Sequence, residues 1–177
     1  GLNTYVGATN ISSGILQLGV ANAIKNGTTA ATQSNVILSG GTLSSGSTTG
    51  FSDGTSTSNS MGTLQLTGNS SINLGTGSHS LYFAASNTTS WTGATSLTIN
   101  GWQGTAGSSG TAGKIFIGNS ATALTATQLA QITFAGFPGT PILLGTGELV
   151  PPAAIPVLAI TGSTAFGSSC VGVPPTA

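Results

Sequence analysis

The apolar residues in the first two thirds of this chain come in runs too short to build an ordinary sheet protein. The runs are Ile15-Leu16-Gln17-Leu18, Val36-Ile37-Leu38, Thr63-Leu64-Gln65-Leu66, Ser71-Ile72-Asn73-Leu74, Ser80-Leu81-Tyr82-Phe83, Ser96-Leu97-Thr98-Ile99 and Lys114-Ile115-Phe116-Ile117, bounded by Gly, Asn or Ser. Alternation within a run buries one face and solvates the other. Strands this short cannot hold a free-standing sandwich together. They suit a solenoid wall, where each strand pairs with its equivalent one coil later. The expected fold is therefore all-β: a β-solenoid with a C-terminal cap containing one short helix.

Imperfect repetition supports stacking. Ser13-Gly14-Ile15-Leu16-Gln17-Leu18-Gly19 returns as Met61-Gly62-Thr63-Leu64-Gln65-Leu66-Thr67-Gly68, with a weaker echo at Ser39-Gly40-Gly41-Thr42-Leu43. The spacings Leu16 to Leu43 and Leu43 to Leu64 are 27 and 21 residues, and a period in the twenties is that of one solenoid coil. Glycine supplies the positive φ that corners need. Asn22, Asn26, Asn35, Asn69 and Asn100 end strand-like runs, and stacked Asn and Thr side chains can form hydrogen-bonded ladders. The core is expected on Leu16, Leu18, Leu64, Leu66, Ile72 and Leu74.

After Gly118 the text changes. Leu124 to Ile132 is the one helix candidate, and Thr125 with Gln128 fits a capping box. With the bulky Phe134, Phe137 and Leu143-Leu144 following, it reads as a cap over the end of the stack, where strand edges and apolar interior need cover. The division expected is residues 1–118 as solenoid, 119–150 as cap, and 151–177 as a Pro-rich linker (Pro151, Pro152, Pro156) followed by the first strand, Val157 to Gly162, of a truncated immunoglobulin-like module.

Composition narrows function. Charged residues make up 2% of the chain, against roughly 25% in an ordinary soluble domain. They are Lys25, Lys114, Asp53 and Glu148, with one histidine, His79. Such a surface has little long-range field, which argues against capture of nucleic acid or anionic lipid. Hydrophobic residues reach 38%, too many for a disordered chain. Yet the longest apolar stretch, Pro151 to Ile160, falls short of the roughly 18 residues of a spanning helix, so no membrane insertion is expected. Gly1 to Val20 lacks the basic and apolar regions of a secretory leader, and the chain reads as a mature or excised piece of something longer. Cys170 is either free or paired outside this piece.

One stretch carries a family resemblance. Tyr5, Gly7, Thr9, Ile11, Gly14, Leu16, Leu18 and Gly19 fall on the pattern Tyr-x-Gly-x-Thr-x-Ile, then Gly-x-Leu-x-Leu-Gly, so the stretch resembles the autotransporter-associated β-strand repeat. Val36 to Leu43 and Gly62 to Gly75 are similar to it. His79 to Glu148 resembles the segment that often follows the last such repeat in large bacterial surface proteins, through Ser90-Trp91, Leu97 to Trp102, Gly113 to Gly118, Leu129 to Phe134 and Thr146 to Pro151. The resemblance implies a right-handed parallel β-helix in a secreted or surface-anchored passenger, often an adhesin, with a repeat that assists export. It implies an extracellular, cell-surface location, with secretion machinery (type V or type IX) and surface glycans or other cell-surface proteins as partners. It brings no catalytic residues.

The residues themselves point away from catalysis. Glycoside hydrolysis wants two carboxylates about 5 to 9 Å apart, and Asp53 and Glu148 lie far apart in sequence, one in a Gly/Ser-rich loop and one in the cap. A Ser-His-Asp set through His79 and Asp53 has no Gly-x-Ser-x-Gly elbow behind it. His79 reads as a surface or turn histidine, Asp53 in Asp53-Gly54 as a turn residue, and Lys114 and Glu148 as solvated, pairing if the cap folds back. One His and one Cys do not make a zinc site, and one Asp does not make a calcium-binding repeat. No metal and no cofactor is expected. Sugars stack on flat aromatic faces, so Trp91, Trp102 and Tyr82 are the candidate glycan-stacking residues, with core packing as the competing role. The expectation is a non-enzymatic stalk or adhesin segment; the alternatives are a carbohydrate-binding module and a self-assembling extracellular filament subunit.

Overall fold

The computed structural model of the chain describes residues 3–5, 7–46 and 48–153. Twelve strands and one short helix alternate along them. The strands are β1 (Thr9–Ile11), β2 (Ile15–Gln17), β3 (Val36–Ser39), β4 (Thr42–Ser44), β5 (Met61–Gly68), β6 (Ser70–Asn73), β7 (His79–Ala84), β8 (Leu97–Asn100) and β9 (Gly113–Ile117); then come α1 (Ala126–Ala130), β10 (Ile132–Phe134), β11 (Ile142–Leu143) and β12 (Leu149–Val150). The fold is mostly β, as the short alternating runs predict. The proposed strand at Val157 to Gly162, the module it would open, and Cys170 lie outside the described residues.

Strands sort into sheets by parity. One five-stranded sheet has the order β1-β3-β5-β7-β9 and the other β10-β8-β6-β4-β2, while β11 and β12 form a small separate sheet. All pairs in the two large sheets are parallel, and the β11–β12 pair is antiparallel. From β1 to β10 consecutive strands thus fall in different sheets, and from β3 to β10 each lies beside the strand two before it. The return distance varies: it is 28 residues from Asn35 to Thr63, 29 from Thr42 to Ser71 and 27 from Asn73 to Asn100, but 22 from Met61 to Phe83 and 34 from His79 to Gly113. It is 35 between Thr98 and Thr133, where α1 is inserted.

Register explains the core. Leu16, Leu43, Ile72, Ile99 and Phe134 face one another in turn across β2, β4, β6, β8 and β10. In the other sheet Ile11, Leu38 and Leu66 form one row, Leu81 faces Ile115, and Phe83 faces Ile117. Burial alternates along β3, β7, β8 and β9 as these rows require. Each fully buried aliphatic side chain contributes about 1.5–3 kcal/mol. The outward positions carry hydroxyl and amide ladders instead. Thr42 and Ser71 hydroxyls meet at 2.7 Å, Ser39 bonds both Asn10 and Thr67, and Asn100 Nδ2 donates to Asn73 Oδ1 at 2.8 Å.

Two sequence expectations need correction. Leu18, Leu64, Leu66, Ile72 and Leu74 are buried, but Leu16 is 37% exposed. It sits on the outermost strand of its sheet, with a neighbour on one side only. The textual repeat also pairs the wrong segments. Leu16 does face Leu43, but Leu43 faces Ile72, while Leu64 faces Val36 in the other sheet. Ser13–Gly19 and Met61–Gly68 are alike in composition because both sheets need the same inward aliphatic alternation, not because they are stacked equivalents.

The helix forms where its cap residues place it. Thr125 is the N-cap: its hydroxyl accepts from Gln128 N, and the Gln128 side chain accepts from Thr125 N, which completes the capping box. The Gln128 amide is itself buried and donates to the carbonyls of Ser86 and Thr89 at 2.9 Å. Those bonds tie α1 onto the chain preceding β8. Directly after the helix, β10 joins the even-numbered sheet against β8. Stacking therefore continues into the region expected to be purely a cap.

Candidate functional site

With two lysines, two carboxylates and one histidine in a chain of 177 residues, where they lie decides what chemistry is open. Asp53, His79 and Glu148 are all buried. This corrects the reading of His79 as a surface or turn residue, of Asp53 as a plain turn residue and of Glu148 as solvated.

Asp53 precedes Gly54, whose φ of +84° makes the turn expected of the dipeptide. The carboxyl, however, points inward. Its Oδ2 accepts from Ile24 N at 2.9 Å, so it fastens the segment 22–26 to the next circuit. Its Oδ1 has no partner, and neither has the buried Oδ1 of Asn26. Burial pushes the Asp53 carboxyl above its ordinary range, although the Ile24 amide and the Asn26 side chain pull the other way.

His79 opens β7 opposite Gly113. Its Nε2 lies 2.8 Å from Ser45 Oγ, and its Nδ1 lies 3.1 Å from the Gly77 carbonyl oxygen. Ser45 Oγ also accepts from Gly75 N at 2.8 Å. Burial holds the imidazole below its usual range, with the Gly77 carbonyl opposing. The ring has no hydrogen bond to Asp53, whose carboxyl serves Ile24. The nucleophile, base and orienting acid of a serine hydrolase are therefore not assembled. Ser45 is fully buried, and none of the cavities described below is lined by Ser45 or His79.

Glu148 directly precedes β12 and bridges Phe116 of β9. It accepts from Ser109 Oγ at 2.7 Å and from Gly110 N at 2.8 Å. Lys114 Nζ donates to the same Ser109 hydroxyl at 2.9 Å. The lysine and the glutamate are thus linked through a serine, which latches the 103–112 loop to the C-terminal segment. All three buried groups hold loops against strands. Among the described residues no three His, Cys, Asp or Glu side chains gather as metal ligands would, and no helix is long and apolar enough to cross a membrane.

The three aromatic candidates sit in three settings. Trp102 is 6% exposed and makes edge contacts with Phe134 and Phe137, at centroid distances of 5.9 and 5.1 Å. It offers no free face to a sugar. Trp91 packs against the core and donates its indole N–H to the Leu64 carbonyl at 3.0 Å. Tyr82 is half-buried and stacks on Phe116 of the next strand, at 4.8 Å and 15°. A Cβ added at Gly54 would collide with that of Tyr82, so only glycine fits beside it there. A stacked ring turns its edge outward, whereas a sugar needs a face. The structure does not bring the three together.

Two cavities stand out among the described residues. One of about 180 Å³ is lined by Asn3, Asn22, Lys25, Asn26 and Asn59. The other, about 470 Å³ and mostly apolar, lies between Ala106, Phe137, Pro138 and Pro152. Neither holds a pair of acid–base groups. Sequence reasoning missed Ser45, Asn26, Ser109 and Phe116. The only legible hint was the density of glycine around His79, since Gly75, Gly77 and Gly50 all lie against its network. Compared with known proteins, the chain matches no family model, no curated protein and no solved structure.

Proposed function

We propose that the chain is a right-handed parallel β-helix acting as a stiff structural or adhesive segment of a large secreted bacterial cell-surface protein. The observation that carries this reading is the parity-sorted pair of parallel sheets, with returns of 22 to 35 residues and aliphatic rows running from strand to strand. Backbone ladders continuous along one axis resist bending. A surface of hydroxyls and amides keeps such a rod wet without charge. The three buried ionisable groups each close a loop, which favours scaffold over catalyst. The resemblance of residues 5–19 to the autotransporter-associated repeat supports an extracellular location and export as a passenger. A carbohydrate-binding role is weakened by the burial of Trp102 and the stacked geometry of Tyr82. The test is small-angle scattering with limited proteolysis of the purified chain, alongside a glycan array. An elongated, protease-resistant particle without glycan signal is expected. Specific glycan binding lost in Tyr82→Ala, or a globular and readily digested particle, overturns the proposal.

A further inference from the structure

His79 is enclosed more tightly than any turn residue needs. A Cβ added at Gly50 or at Gly113 would collide with its imidazole ring. The ring therefore fills a slot between the backbone of the preceding circuit and that of β9, and glycine on each side is what leaves the slot open. Two hydrogen bonds fix the ring inside it, a third holds the serine that makes one of them, and together they settle where its proton lies. The partner of Nδ1 is the Gly77 carbonyl, which can only accept, so Nδ1 carries the hydrogen. Nε2 then has a free lone pair and accepts from the Ser45 hydroxyl, whose oxygen in turn accepts from Gly75 N. Each donor has one acceptor, and the set is complete with a neutral imidazole.

The geometry points to the Ser45–His79 junction as an acid-sensitive staple: the neutral imidazole locks Ser45 to strand β7, and a proton taken up from solvent at Nε2 releases it. With Nε2 protonated, that nitrogen becomes a donor. The Ser45 hydroxyl must then turn its own hydrogen away, into a buried region where its hydrogen-bonded neighbours among the described residues are Gly75 N and the ring. No carboxylate stands by to balance the imidazolium. In the segment facing β7 from one side, Asp53 gives its backbone N–H to the Ser80 carbonyl, while its carboxyl is engaged with Ile24. From the other side β9 brings Lys114 opposite Ser80, a like charge. On β7 itself the one other titratable group is Tyr82, stacked on Phe116. Lys25 lines the polar cavity with Asn3 and Asn22, and Glu148 is held by Ser109 and Gly110.

The direction follows from linkage. Burial lowers the folded-state pKa below the ordinary value of 6.5, so the unfolded chain takes up the proton first. The stabilisation is whole above 6.5 and is lost as pH falls from there through the folded value. Asp53, whose folded pKa is raised, works with the opposite sign, so comparison with a His79 variant is needed to isolate the staple.

The test uses the whole chain. Nitrogen-15 spectra of the imidazole at pH 7 should show the Nδ1–H tautomer. Native-state exchange of the Gly75 amide, corrected for its intrinsic rate, should quicken by up to about tenfold per pH unit in acid below the ordinary histidine range. In His79→Asn, which keeps a donor toward Gly77, that acceleration should vanish. A cationic or Nε2–H imidazole at pH 7 overturns the proposal, as does equal acceleration in the variant. The tautomer reading needs only the unaltered protein, so it stands as a test even where the variant does not fold.

Discussion

Replacing Asp53 by Asn should stabilise this protein at neutral pH, against the usual direction of a substitution at a fully buried site. The structure supplies the reasons. Asp53 is 0% exposed and has no basic partner; its Oδ2 accepts from Ile24 N, and its Oδ1 and that of Asn26 are both bare. Asn26 cannot turn its amide over without loss, since its Nδ2 already donates to Asn22 Oδ1 at 3.1 Å, and that oxygen also takes Gly54 N. Asparagine has nearly the shape of aspartate. It keeps an oxygen for Ile24, removes the buried charge, and brings an N–H₂ beside the Asn26 side chain, which lies close enough to the Asp53 carboxyl to influence it. A buried polar atom left without a partner costs about 1–3 kcal/mol, so a gain of about that size is expected at pH 7. That corresponds to roughly 2–4 °C in Tm per kcal/mol for a chain of this length.

The pH dependence provides the sharper check. Desolvation raises the folded-state pKa of Asp53 above the ordinary 3.8. A raised acid contributes its stabilisation in full below 3.8 and loses it as pH rises through the folded value. The advantage of Asp53→Asn should therefore shrink on acidification and be smallest below 3.8. Urea unfolding followed by far-ultraviolet circular dichroism at acid and neutral pH measures both quantities. A variant less stable than the parent at pH 7, or an advantage that does not shrink in acid, would refute the account of Asp53 as a buried acid with unmet hydrogen-bonding needs.

Two further outcomes check the packing. Leu66→Ala, inside the row with Ile11 and Leu38, should lose about 2–5 kcal/mol, whereas Leu16→Ala on the outermost strand should lose less than about 1 kcal/mol because the side chain is already part-solvated; equal losses in urea unfolding would contradict the inward rows. Trp91→Phe removes the bond to the Leu64 carbonyl and should cost about 1 kcal/mol beyond its lost area, while Trp102→Phe removes an indole N–H that has no acceptor and should be milder; thermal melts of the two variants that rank the other way would refute the assignment.

Some of this protein was decided by the order of residues alone. Period-two alternation in runs of a few residues dictates short strands with one buried face. Scarce charge dictates a surface wet by Ser, Thr and Asn, and Thr125 with Gln128 sets where the helix begins. All of these are local, since each depends on groups within one strand or one helical turn. Which strand lies beside which was decided elsewhere. The self-similar stretches around Leu16 and Leu64 look equivalent in sequence, yet one faces Leu43 and the other Val36. Nothing local distinguishes two sheets that demand the same alternation; loop lengths and simultaneous packing of both sheets do. The same holds for Asp53, His79 and Glu148. Aspartate before glycine, or histidine between serines, reads as turn chemistry. Their burial arises only when Ile24, Ser45 and Gly110 arrive from segments roughly thirty residues away, bringing backbone and hydroxyl groups that replace the water each side chain gives up.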